Sequence, residues 1–168
     1  MTVGLGEDVK QFHRRFVTGV TVVTTMPAAT PYGLALNAFA SVSVSPATVL
    51  ACVAKSSSTH DVLAEAQRFA VNLLAHDQLA VANRFATKAA DKFDGLDWAV
   101  GEFGCPILSG TCAHLEAEVT TRVPTSTHTV FIGEVLRAVS TDRPPLVYAA
   151  SRFFDGGALR PVSPEPSC

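Results

Sequence analysis

At 168 residues, with 48% hydrophobic and 17% charged residues, the chain has the length of one domain, ample core material and little solvated surface. So few charges on a small chain favour burial against a second copy, a homodimer. A formal net charge of -2, with no basic run interleaved with aromatics, argues against a nucleic-acid partner. With no signal peptide and no apolar stretch near about 18 residues, no membrane span is expected and the chain reads as cytoplasmic. The four cysteines, Cys52, Cys105, Cys112 and Cys168, form no CxxC pair and no metal-ligand spacing. Reduced thiols are expected, with Cys52 a small core residue in an apolar strand.

Residues 7–17 read as a first helix, with Val9, Phe12 and Phe16 on one face and Gly19 in the place of a C-terminal glycine. Residues 20–25 (VTVVTT) are β-branched throughout and read as a strand. Two prolines and Gly33 in residues 27–33 turn the chain into a second strand at 34–36.

The stretch from 32 to 61 organises the rest. Residues 33–40 are small enough for a ligand to lie close to the backbone. Residues 41–45 (SVSVS) alternate as a half-buried strand, Val42 and Val44 on one face and Ser41 and Ser43 on the other. Pro46 breaks it, and residues 47–54 are almost continuously apolar, as in a strand covered on both faces. Lys55-Ser56-Ser57-Ser58-Thr59 then leads into a helix over 59–67 with Val62, Leu63 and Ala66 inward. Two readings of this cluster stay open. Ser58 or Thr59 caps the helix and the other serines are loop, or the hydroxyls, the lysine and the helix N-terminus hold a phosphate.

Residues 69–74 (FAVNLL) read as a strand, and 77–86 as a helix with an apolar stripe of Leu79, Ala82 and Phe85. Residues 87–110 are punctuated by glycines and read as irregular, long enough for a functional loop. Residues 114–123 alternate cleanly, with His114, Glu116 and Glu118 on a wet face; 129–139 and 146–149 are further strands, and 163–168 is a loose tail. Six or seven strands with short connections, no βαβ rhythm and no GxGxxG exclude a Rossmann domain. They point to a mainly β protein, an antiparallel barrel with flanking α-helices over residues 1–160 and a tail over 161–168.

No GxSxG elbow pairs a serine with a histidine, so a hydrolytic triad is not supported. The five histidines, His13, His60, His76, His114 and His128, stand singly without HxxxH or HExxH, so no metal site is expected. His128 sits where a loop enters a strand, either as a surface histidine or at a pocket mouth where it titrates near neutrality. Asn83-Arg84-Phe85-Ala86 and Asp91-Lys92-Phe93 put cations beside flat aromatics, which suits a phosphorylated ring compound, although an amphipathic helix and its loop account for most of the pattern.

Seven segments in order, FVTGVTVVTT (16–25), NAFASVSVSP (37–46), KSSST (55–59), FAVNLL (69–74), RFA (84–86), DKF (91–93) and HTVFIGEV (128–135), resemble the short-chain flavin reductases. These are the reductase components of two-component flavin-dependent monooxygenases, and the likeness covers about residues 10–155. The resemblance implies an FMN-binding split β-barrel that dimerises. It also implies a reaction in which NADH or NADPH reduces free FAD or FMN and the reduced flavin leaves for a partner monooxygenase. By position, Leu36, Asn37, Ala38 and Ser41 border the flavin, Cys52, Val53 and Ala54 offer backbone, and Ser57, Ser58 and Thr59 hold phosphate. Arg84 and Phe85, with Lys92 and Phe93, complete the flavin site. His128 lies beside the nicotinamide, with Phe39 to help stack it and Phe153 near the same ring.

Two departures from the family pattern stand out. Ser126 and Thr127 replace the usual Gly-Asp before the histidine, and Arg152-Phe153-Phe154 keeps an aromatic after the arginine but lacks a tyrosine hydroxyl. The rival readings are a non-enzymatic flavin-binding carrier or sensor, and an oxidase with fixed flavin.

Overall fold

A computed structural model describes residues 3–162. The helices are α1 (Val3–Arg15), α2 (His60–Glu65) and α3 (Leu79–Phe85). The strands are β1 (Thr18–Gly19), β2 (Thr21–Thr25), β3 (Tyr32–Leu36), β4 (Phe39–Val44), β5 (Ala47–Ala54) and β6 (Arg68–Leu73). They continue with β7 (Trp98–Val100), β8 (Pro106–Leu108), β9 (Ala113–Pro124), β10 (His128–Ser140), β11 (Leu146–Ala149) and β12 (Arg152–Asp155). The fold is mainly β and every ladder is antiparallel. A seven-stranded sheet runs β3-β2-β6-β9-β10-β5-β4, beside a three-stranded sheet β1-β11-β12 and the hairpin β7-β8. No helix among the described residues is long and apolar enough to cross a membrane.

The two edges of the large sheet, β3 and β4, are joined by only Asn37 and Ala38. Three peptide steps span at most about 11 Å, so the sheet must roll until its edges come near each other. No ladder joins them; the sheet is not closed. Inside the roll, Val23, Leu34, Val53, Phe69, Ala117 and Phe131 pack with Leu63 of α2. Outside it, Val20, Val22, Leu74, Phe85, Phe93 and Leu146 form a second core with α3. β2 lies between the two cores, which is why VTVVTT is buried on both faces.

Several expectations need correction. β4 is an edge strand whose valine face looks outward: Val42 is 54% and Val44 89% exposed, since nothing among the described residues covers that side. β5 is buried on one face only, through Val49, Ala51 and Val53, so Cys52 is half-buried rather than core. The expected face of the first helix carries no core contact. Phe12 is 71% exposed, Phe16 lies past the helix end, and Gly19 belongs to β1 instead of capping. Leu79 of the expected α3 stripe is exposed, while Ala82 and Phe85 are buried.

The stretch over 87–110 is not wholly irregular, because it contains the β7-β8 hairpin. Buried polar groups hold this hairpin. Asn72 accepts from Leu108 N (2.8 Å) and donates to Pro106 O (3.3 Å), and Thr24 Oγ1 donates to Pro106 O (2.6 Å). Glu116, expected on a wet face, is only 2% exposed. Its Oε1 accepts the backbone N–H of Phe103 (3.0 Å) and Cys105 (3.1 Å). Backbone donors take the place of the water the side chain loses on burial. β12, also unforeseen, pairs with β11. Of the expected tail, residues 163–168 lie outside the described residues.

Candidate functional site

Gly33 on β3 is the meeting point of three elements. Its carbonyl accepts Thr59 Oγ1 (2.9 Å) from the start of α2 and Lys92 Nζ (3.0 Å) from the loop after α3. A Cβ here would lie 2.7 Å from the Phe85 ring, so only glycine lets α3 pack against the strand. Lys92 is 5% exposed, and its ammonium reaches only carbonyls, those of Gly33 and, at 3.4 Å, Phe85. Among the described residues no carboxylate pairs with it. Desolvation holds its pKa below the usual lysine value. Lys92 lines a cavity of about 340 Å³ together with Ser58, Thr59, Lys88, Tyr32 and Phe93. Two lysines, Lys88 and Lys92, thus border one cavity together with Ser58, a residue set whose chemistry suits an anion.

The expected phosphate residues divide their roles. Thr59 is buried with its hydroxyl committed to Gly33 O, and it makes no side-chain cap to α2. Ser57 Oγ accepts Thr59 N (3.2 Å), which shapes the turn. Ser58 is exposed on the cavity wall. Phe85 and Phe93 stack edge to face, with ring centroids 5.1 Å apart, inside the outer core. Phe85 is therefore a packing residue, while Phe93 also borders the cavity. Arg84 is exposed and its guanidinium donates to Asp94 O. Lys88 and Tyr32 escaped the sequence reading; Lys88, a second lysine four residues before Lys92, was the available signal.

A second region follows the open seam between β3 and β4. Thr21 Oγ1 donates to Leu36 O (2.7 Å), and Cys52 N donates to Ala38 O (2.9 Å), which fixes the connection. Asn37 and Phe39 face a trough of about 490 Å³ walled by Phe16, Leu73 and Val147. An apolar crevice of about 250 Å³ adjoins it through Thr21, Phe39 and Leu73. His114 lines this crevice, and burial lowers its pKa and favours the neutral ring. Ser41 is exposed on β4 opposite Val49, Val53 points into the inner core, and Cys52 and Ala54 are half-buried.

His128 pairs with Ala54 across β10 and β5, and its Nδ1 lies 2.9 Å from Thr127 Oγ1. Lys55 N donates to Thr127 O (2.9 Å) and Lys55 Nζ reaches Thr125 O, so the histidine loop is clipped to the KSSST turn. The structure thus brings His128 to the end of β5 that enters the KSSST turn. Phe153 lies on the separate three-stranded sheet, its ring tilted against Tyr148 with centroids 5.1 Å apart.

The family model for the flavin reductase like domain matches residues 13–157 of this chain. The chain belongs to that family. This flavin reductase homologue is 40% identical over 151 residues to the FMN reductase (NADH) SmoA of Agrobacterium fabrum, spanning 88% of this chain and 86% of that one. It is 39% identical over 140 residues to the reductase component of the flavin-dependent trigonelline monooxygenase of Acinetobacter baylyi. That match takes in 83% of this chain but 45% of the longer relative. Among solved structures, the Streptomyces globisporus NADH:FAD oxidoreductase SgcE6 in complex with NAD and FAD fragments superposes with a TM-score of 0.83 at 35% identity, covering 99% of both chains. The Lys92 cavity fits the phosphate of a flavin on its own donor set: an ammonium, the Ser58 hydroxyl and a second lysine, with no acidic side chain lining it.

Proposed function

We propose that this flavin reductase homologue uses NADH or NADPH to reduce free FAD or FMN and hands the reduced flavin to a partner monooxygenase. Buried Lys92, which lines the cavity and pairs with no carboxylate among the described residues, carries the reading. Lys92, Ser58 and Lys88 hold the flavin phosphate, and Ser57 and Thr59 shape the turn that presents Ser58. From there the flavin follows β3 towards Leu36, Asn37 and Ala38, with Ser41 and the backbone of residues 52–54 along its path. Phe85 and Phe93 keep Lys92 in place, and Arg84 holds the loop through Asp94 O.

Reduced nicotinamide gives its hydride directly to the flavin ring, so the chemistry belongs to the two cofactors. The protein orients them and excludes water, which explains a site without an acid–base pair. His128 orients the nicotinamide beside Ala54, and Phe39 supplies an aromatic edge at the seam; Phe153 approaches the same ring only from its own sheet. We read the seam between β3 and β4 as the opening of a split barrel. Residues 1–160 make the reductase domain and 161–168 its tail. The exposed apolar side chains of α1 and β4 support a homodimer. The assay is loss of the near-ultraviolet absorbance of NADH, or of NADPH, on adding free FMN or FAD. Flavin-dependent loss is expected; flavin binding without any loss would leave a carrier or sensor.

A further inference from the structure

The apolar trough beside Phe39 does not end at the seam. It shares Asn37 with a smaller cavity of about 290 Å³ lined by Lys10, His13 and Arg14 of α1, with Tyr148 and Ser151 opposite. Across the β1-β11 ladder, Thr18 of the first cavity pairs with Tyr148 of the second, so the two are neighbours. Lys10, His13 and Arg14 stand at the i, i+3, i+4 spacing that puts side chains on one helical face. Lys10 has one exposed acidic neighbour, Glu7, at 3.6 Å; among the described residues Arg14 and His13 pair with no carboxylate. The wall is built rather than loose. Ala150 N donates to Arg14 O (2.9 Å), and the β11-β12 turn holds Ala150 and Ser151 at φ 49° and 60°, a left-handed pair without glycine.

We propose that this cationic end is a second anion site, which holds the diphosphate of the nicotinamide dinucleotide. The assignment rests on the reductase reading above. Gly33, beside Lys92, and Asn37, beside Arg14, are four residues apart at the ends of β3, about 13 Å at strand rise. One phosphate cannot touch both. In FAD the adenylate is attached through that same phosphate, so it starts from the Lys92 end of β3. The molecule left to need cations beyond the ring seam is the hydride donor. Its planar ring suits the apolar trough at Phe39, and its diphosphate suits Lys10, Arg14 and the Tyr148 hydroxyl.

The test is calorimetric titration of ADP-ribose, which carries the diphosphate without the nicotinamide, into wild type and the Lys10→Ala/Arg14→Ala double variant. Affinity should fall about tenfold or more, and Arg14→Lys on its own should retain most of it. In steady state the KM for NADH should rise while kcat and the KM for FMN stay within about twofold. Should the double variant fail to fold, Arg14→Gln carries the same titration. Unchanged ADP-ribose affinity overturns the proposal. So does a variant that loses FAD but keeps ADP-ribose, which would give these cations to the flavin adenylate. Wild type that oxidises neither NADH nor NADPH with any flavin would instead sink the reductase reading, and the ADP-ribose titration reports on the cation site independently.

Discussion

Lys92 concentrates the chemistry of a single residue. Burial removes water from its ammonium and offers two carbonyls in exchange, so the charged form is disfavoured and the pKa falls. Between that lowered pKa and the ordinary 10.5, the unfolded chain holds a proton that the folded chain has released. Stability therefore gains as pH rises through this window. Phosphate binding has the opposite sign, because it needs the ammonium charged. FMN affinity should weaken on the alkaline side earlier than an ordinary lysine would dictate, and a binding titration against pH tests this. Lys92→Met should flatten that pH dependence and weaken FMN by about tenfold to a hundredfold, the worth of one charge-assisted hydrogen bond. Riboflavin, which lacks the phosphate, should bind both proteins alike. Equal losses for FMN and riboflavin would mean that Lys92 supports the fold and not the phosphate. His128→Ala should raise the nicotinamide KM more than it lowers kcat, and unchanged kinetics would remove His128 from the site.

Among the elements, the turn of the β7-β8 hairpin is held by one carboxylate, while Asn72 and Thr24 hold β8. Glu116 takes the N–H groups of Phe103 and Cys105, and Gly101 leaves the room it needs, since a Cβ there would lie 2.6 Å from the carboxylate. Burial, with Glu116 charge second, pushes the Cys105 thiol up to about 12, so it stays protonated and unreactive at neutral pH. Glu116→Ala should cost about 1–3 kcal/mol through the two orphaned donors. It should also open Cys105 to thiol reagents that do not label it in wild type; an unchanged labelling rate would show that the hairpin has another anchor. Such dependences explain what the sequence conceals. The strands of the large sheet were legible because β-branched runs and alternation report local burial, and residues 146–149 read as the strand that β11 forms. Glu116 and Asn72 were not, because their partners lie 11 or more residues away and a polar residue on an alternating strand looks solvated until its donors arrive. Ser58 and Lys92, named from two separate motifs, line one cavity. The roles of Gly33 and Phe85 as packing partners were not legible, since a close approach between β3 and α3 leaves no periodic trace.

The whole molecule leaves more surface uncovered than a compact monomer should. Its accessible area is 10253 Å² for 17.7 kDa, against about 7,900 Å² from the usual scaling of monomeric proteins. The excess is of the order that a stable interface removes. Phe12, Phe16 and Leu5 on and beside α1, with Val42 and Val44 on the β4 edge, supply its apolar part. An exposed edge strand carrying valines is also a hazard unless another chain covers it. A two-fold partner resting on α1 and β4 would cover both and roof the seam where Asn37 and Phe39 stand, which would keep water from the hydride path. Sedimentation of the wild type at about 10 μM should therefore give a dimer, and Phe12→Ser/Val44→Ser should shift it towards monomer with flavin-dependent turnover reduced. A wild type that sediments as a monomer would leave the seam open to solvent and remove the dimer from the mechanism. A double variant that stays dimeric and active would move the interface to another face.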